Sequence, residues 1–169
     1  MPPKPKPYEV IYDPVDGLVY SFPPIGYIPV PLPSGPKPIV IQLDDQTTTA
    51  TTGTAWAPTA LTATITPKAG SKVKITISGN GSVDNVNNGM NISLLRGVTE
   101  LSVSGSGFSQ IVTGAAVTRY PVSFSYIDSP ATTTPVTYTL AINSGTNGQN
   151  VTWNPAGNDC VIILEEVLA

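Results

Sequence analysis

Of the 18 prolines in this 169-residue chain, 12 lie within the first 38 positions. Proline fixes φ and carries no backbone N–H, so a segment this dense in it builds neither a helix nor the interior of a sheet and is expected to run extended. The same segment is apolar, with Tyr8, Val10, Ile11, Tyr12, Leu18, Val19, Tyr20, Phe22, Ile25, Tyr27, Ile28, Val30 and Leu32 spread along it. It is not a solvated linker. Residues 1–38 are therefore read as an extended anchoring arm that lies along the surface of another protein, with folding back on its own domain as the alternative. Tyr8, Ile11, Tyr12, Leu18, Tyr20, Phe22, Ile25, Tyr27 and Ile28 are the expected partner-binding residues, because rings and branched chains on an extended peptide drop into pockets of a partner. At ~3.1 Å per residue such an arm reaches roughly 100 Å.

After Pro36-Lys37-Pro38 the text changes to Thr-, Ser- and Val-rich alternation. Leu61, Ala63 and Ile65 alternate with threonines, and Val73, Ile75 and Ile77 with Lys72, Lys74, Thr76 and Ser78, the period of half-buried strands. Pro67 to Ser71 between them predicts a turn, and the two runs are expected to form a hairpin. Gly79 to Gly89 reads as a loop, in which Asp84, Asn85, Asn87 and Asn88 offer oxygens to a cation without the spacing of a calcium loop. Further alternation at Met90 to Leu94, Val122 to Tyr126 and Val136 to Ile142 gives roughly eight to ten short strands with no helical periodicity. Residues 39–169 are thus expected to be one all-β domain, an antiparallel β-sandwich of jelly-roll-like form. Pro121 inside a strand pattern marks an edge or a bulge. The last strand, Cys160 to Leu164, is apolar at successive positions, which calls either for a central place in its sheet or for a sister chain over its outer face.

Composition narrows the chemistry. Only 11% of residues are charged, whereas threonine occurs 21 times, so hydroxyls and amides keep the surface wet. A net charge of −3 offers no long-range attraction to phosphate, and no nucleic-acid partner is expected. No run approaches the ~20 apolar residues that span a bilayer, so no membrane partner is expected either. Without a histidine, Ser-His-Asp and Cys-His arrangements and imidazole metal sites are impossible. Asp44-Asp45 and Glu165-Glu166 are adjacent in sequence and point to opposite faces of a strand, which suits no paired-carboxylate mechanism. Gly79-Asn80-Gly81 and Gly105-Ser106-Gly107 lack the surroundings of a phosphate loop. Cys160, the one cysteine, reads as a small buried hydrophobe. Neither catalysis nor a cofactor is expected. Trp56 and Trp153 are read as core or rim, although Trp, Asn and Thr in loops would suit a host glycan.

Three segments carry a family resemblance: Val122-Ser123-Phe124-Ser125-Tyr126-Ile127-Asp128-Ser129-Pro130, Thr132-Thr133-Thr134-Pro135-Val136-Thr137-Tyr138-Thr139-Leu140, and the closing Val161-Ile162-Ile163-Leu164-Glu165-Glu166-Val167. Together they resemble the C-terminal β-sandwich of virion proteins from tailed bacteriophages, notably marine and cyanobacterial ones. The closing segment departs from the family's Ile-Thr-Leu-Met-Glu-Ile, and the arm has no counterpart in it. The resemblance implies a homotrimer of jelly rolls used in fibres, knobs or capsid decoration, with Tyr126, Tyr138, Ile162 and Leu164 at the trimer interface. The resulting expectation is a virion protein, a trimeric capsid decoration (cement) protein whose arm binds the major capsid protein or another virion protein. A receptor-binding tail-fibre tip that recognises a host surface glycan is the alternative.

Overall fold

A computed structural model describes residues 9–12, 19–22, 28–30, 39–84, 88–112, 114 and 118–168. The chain divides into two compact units, Met1–Lys37 and Pro38–Ala169.

In the first unit β1 (Glu9–Tyr12), β2 (Val19–Phe22) and β3 (Ile28–Val30) form a three-stranded antiparallel sheet in that order. The proline rule still operates: the central strand contains none, and the one proline in the sheet, Pro29, sits on the edge strand opposite Tyr20. The three described strands pair antiparallel, a feature that proline density alone does not suggest. Of the expected partner-binding residues, Tyr8, Leu18, Ile25 and Tyr27 lie outside the described residues. Ile11, Tyr12, Tyr20, Phe22 and Ile28 belong to the three strands, with side chains outside those described.

The second unit is an antiparallel β-sandwich, and among the described residues it contains no helix. Its strands are β4 (Val40–Asp45), β5 (Thr49–Thr51), β6 (Ala57–Ile65), β7 (Lys72–Val83), β8 (Gly89–Arg96), β9 (Thr99–Glu100), β10 (Ser109–Val112), β11 (Thr118–Asp128), β12 (Val136–Ser144), β13 (Val151–Trp153) and β14 (Cys160–Val167). One sheet runs β10-β8-β12-β6, with β9 beside β8; the other runs β4-β14-β7-β13-β5, with β11 on the far side of β7. Take the eight strands of four residues or more and number them in chain order. The sheets then read 1-8-3-6 and 2-7-4-5, the jelly-roll order of two interlocked Greek keys.

The period-two runs bury as expected. Leu61, Ala63 and Ile65 enter the core from one sheet and Val73, Ile75 and Ile77 from the other, together with Met90, Ile92, Leu94, Leu140, Ile142, Ile162 and Leu164. These two runs are not a hairpin: β6 pairs with β12, whereas β7 pairs with β11, β14 and β13. The turn between them, closed by Ser71 N–H on Lys68 O at 3.1 Å with Gly70 at φ 78°, carries the chain from one sheet to the other. Both strands present an apolar face to one core from opposite sides. On the outer faces the threonines form ladders, Thr62 with Thr139 and Thr64 with Thr137 at 2.8 Å, and Thr76 with Ser125 at 2.9 Å.

β14 takes the central place in its sheet, between β4 and β7. Cys160, Ile162 and Leu164 face the core, whereas Val161 and Ile163 are half-buried on the outer face. Its last turn inward is Glu166, which is 2% exposed and accepts hydrogen bonds from the backbone N–H of Lys68 at 2.6 Å and of Ile39 at 3.3 Å. Those bonds, the Lys68 amide foremost, hold its carboxyl below the ordinary glutamate range.

Candidate functional site

The first half of the stretch read as a loop from Gly79 to Gly89 is strand, because β7 continues through it to Val83. β14 pairs with β7 over Lys72–Ser78 and β13 pairs with it over Gly81–Val83, so the sheet forks at Gly79 and Asn80. Asn80 O accepts the N–H of Asn154 at the fork, at 2.8 Å. A side chain on Gly79 would overlap the Trp153 ring and come within 2.7 Å of Cys160 Sγ, and one on Gly81 would overlap Met90 Cε. These glycines serve close approach inside a strand rather than a turn. Trp153 and Cys160 are fully buried there, and burial raises the Cys160 pKa, which keeps it a thiol. Asn154 follows with φ 53°, and its amide group bonds Asn158 N and O, each at 2.8 Å, closing the turn that returns the chain to β14.

Asp128 and Tyr138, both in the segments that carry the virion-protein resemblance, meet in space. Tyr138 OH donates to Asp128 Oδ2 at 2.7 Å, and Arg96 Nη1 reaches both carboxylate oxygens at 3.0 and 2.9 Å. Tyr138 has no exposed surface and Asp128 is 6% exposed. Burial, then the bond to Asp128, raises the tyrosine pKa, so the phenol stays a donor at any ordinary pH. This trio ties β8, β11 and β12, and therefore the two sheets, together. Its chemistry is structural.

Three of the four residues expected at a trimer seam cannot form one. Tyr138, Ile162 and Leu164 are at 0% exposure inside their own sandwich, because the run that looked apolar on both faces alternates between core and half-buried positions. Tyr126 is half-buried, with its ring 4.5 Å from that of Phe108, which lies 5.9 Å from Phe124. These rings close the gap between the sheets on the β10–β11 side.

The loop signals resolve in the same way. Asp84 accepts a bond from Asn150, and the Asn88 carboxamide oxygen accepts Thr146 N–H at 3.1 Å; Asn85 and Asn87 lie outside the described residues. Among the described residues no three acidic or cysteine side chains gather as a metal-ligand set. A carboxamide row crosses the outer face of the β10-β8-β12 sheet, Gln110 to Asn91 at 2.7 Å and Asn91 to Asn143 at 2.8 Å. Asn91 and Asn143 are 7% and 5% exposed, which makes the row part of the fold. Trp56 is half-buried, with its ring against the position of Gly107.

The surface offers shallow ground for ligands. Two open depressions of about 490 and 420 Å³ lie among the turns at Ala69–Gly70, Arg96–Gly97 and Pro130–Thr137, and two smaller ones of about 230 and 250 Å³ flank Tyr120 and Pro121 on β11. The depression of about 230 Å³ presents Arg119, Tyr120, Asn80 and Asn158, an aromatic face with amides and one cation beside it. Sequence reasoning missed this group, because its members come from three separate stretches.

No family model matches the chain, and no curated protein matches it. Solved structures similar to it include the VP2 subviral particle of infectious bursal disease virus, at 13% identity and TM-score 0.36 over 91% of this chain and 48% of that one. Another is the Gx strain of the same virus, at 14% identity and TM-score 0.34 over 90% and 46%. The chain spans about half the length of the solved chains it matches. A likeness at this level is one of loose shape and carries no argument about role.

Proposed function

We propose that the chain is a structural protein of a virus particle, a decoration or cement protein whose N-terminal unit binds the shell. The observation that carries this reading is the pairing of a self-sufficient sandwich with a separate proline-rich, tyrosine-rich unit. Three strands of only three or four residues stand at the lower limit for a sheet stable in water, and such a sheet gains stability when a surface covers its apolar face. A shell subunit supplies that surface. The sandwich supports a non-catalytic role, since its buried polar groups serve packing: Arg96, Asp128 and Tyr138 lock the sheets, and Glu166 caps two backbone amides. Three copies acting as a trimer multiply modest single attachments into a tight one.

Deleting residues 1–38 tests the reading. The truncated protein is expected to keep the far-ultraviolet circular dichroism of a β-sandwich and to lose co-sedimentation with purified particles. Co-sedimentation equal to that of the full chain contradicts it.

A second reading, a receptor-binding tip of a tail fibre, is favoured by the Tyr120 depression, where a ring face and amides suit a sugar and Arg119 suits an acidic one. Binding of the full chain to host polysaccharide, lost in Tyr120→Ala, would support this reading over the first.

A further inference from the structure

Each sheet of an open sandwich has two edges, and a bare edge is a template for another strand. The forked sheet adds a further edge at β5, and β9 lies beside β8, so the edge strands here are β6, β9, β10, β11, β5 and β4. β11 carries Pro121, β10, β5 and β9 have only four, three and two residues, and β6 carries Pro58 beside a register shift opposite Thr139 and Ala141. The remaining edge is β4, and it has no proline, no lysine or arginine, and an unbroken register against β14 from Asp45↔Cys160 to Val40↔Glu165. Its apolar residues are open to water, Val40 at 56% and Leu43 at 41%.

The direction of its free groups follows from the pairing. Glu166 N–H bonds Ile39 O at 2.7 Å, so Ile39 is a hydrogen-bonded partner of β14, and in an antiparallel ladder such pairs recur every second residue. Ile41, Leu43 and Asp45 therefore turn their backbone groups inward. The N–H and C=O of Val40, Gln42 and Asp44 point outward, with no backbone partner among the described residues.

We propose that this edge pairs with the same edge of a second copy, β4 antiparallel to β4, with Gln42 opposite Gln42 and Val40 opposite Asp44. This register uses all three outward residues of each copy. It sets Leu43 of each chain beside Ile41 of the other on the core-side face, covering the exposed leucine. It also sets Asp44 against Val40 and Asp45 against Ile39, so no two acids meet. Parallel alignment, or a slide toward the C-terminal ends, stacks the Asp44-Asp45 pairs on each other, which like charges oppose. The strand is thus complementary to itself in one arrangement, and the product is a continuous sheet across two sandwiches with two-fold symmetry. The inference does not depend on the role proposed above; in a shell it would join neighbouring copies or neighbouring trimers.

The mass of the full-length protein in solution, measured by light scattering after size exclusion, tests it. The wild type is expected as a particle with an even number of copies. Gln42→Pro removes an outward N–H, no ladder bond to β14, and only an exposed side-chain bond to Asp44 at 3.4 Å, and is expected to halve that mass at unchanged circular dichroism. Gln42→Glu places two carboxylates on the two-fold axis. It is expected to halve the mass at low salt and to restore it at ~1 M salt, where the screening length falls to about 3 Å; this variant decides the matter if the proline variant fails to fold. A wild-type particle of one or three copies, or variants of undiminished mass, overturns the proposal.

Discussion

Replacing Gly79 with alanine is expected to destabilise the sandwich by about 2–3 kcal/mol, the upper part of the range for an added methyl group in a packed core. The new Cβ would collide with the Trp153 ring and stand 2.7 Å from Cys160 Sγ, and both neighbours are fully buried at the fork of β7. An indole packed on all sides has no free rotamer to retreat to. Gly81→Ala supplies the contrast. Its added Cβ overlaps the end of Met90, a flexible thioether that swings aside, so a loss of less than about 1 kcal/mol is expected there. Urea denaturation of the two variants measures the difference. Trp153→Phe should recover part of the Gly79→Ala loss, since the smaller ring vacates the space; equal losses in the two glycine variants would contradict the fork geometry.

Asp128→Ala is expected to cost about 3 kcal/mol. It strands the Tyr138 hydroxyl, buried without another acceptor, and releases Arg96 from both of its bonds. The lower end of the range for broken buried pairs applies because the Arg96 side chain is 35% exposed and water recovers part of its solvation. Asp128→Asn keeps an oxygen for the tyrosine and should lose about half as much. Tyr138→Phe, which removes one hydroxyl and leaves the ion pair, should lose about 1 kcal/mol. The expected order of denaturation midpoints is wild type, Tyr138→Phe, Asp128→Asn, Asp128→Ala. A Tyr138→Phe variant as unstable as Asp128→Ala would mean that packing of the ring, and not the carboxylate, holds the two sheets.

Alternation in the sequence was enough to find the strands and the faces they bury. Leu61, Ala63 and Ile65, and Val73, Ile75 and Ile77, lie where their period puts them. Period two says which side of a strand meets the core but not which sheet the strand joins, because strands facing each other across a core carry the same pattern. This is why two neighbours joined by a short turn looked like a hairpin and proved to lie in opposite sheets. Glycine misled for a related reason: Gly79 and Gly81 have no positive φ and no turn to make, and their need is space for Trp153 and Met90, residues distant in sequence or across the core. The closing apolar run left two alternatives open, and the central place in its sheet is the one found. Val161 and Ile163 cover the outer face of a central strand, so its doubled apolarity identifies the middle of a sheet and leaves Ile162 and Leu164 no surface for a partner. The Asp128 and Tyr138 of the resemblance segments gave no sign in sequence that they touch. Ten residues separate them, and only the pairing of β11 and β12 into different sheets brings their side chains together through the core.

The central claim is that this protein is an abundant part of a virus shell, held there by its N-terminal unit. Its copy number in purified particles, counted by quantitative mass spectrometry against the major shell protein, tests that claim most directly. A decoration protein is expected in a fixed ratio to the shell subunits, hundreds of copies to a particle. A few tens of copies would move it to the tail, and absence from the particle would contradict the account altogether.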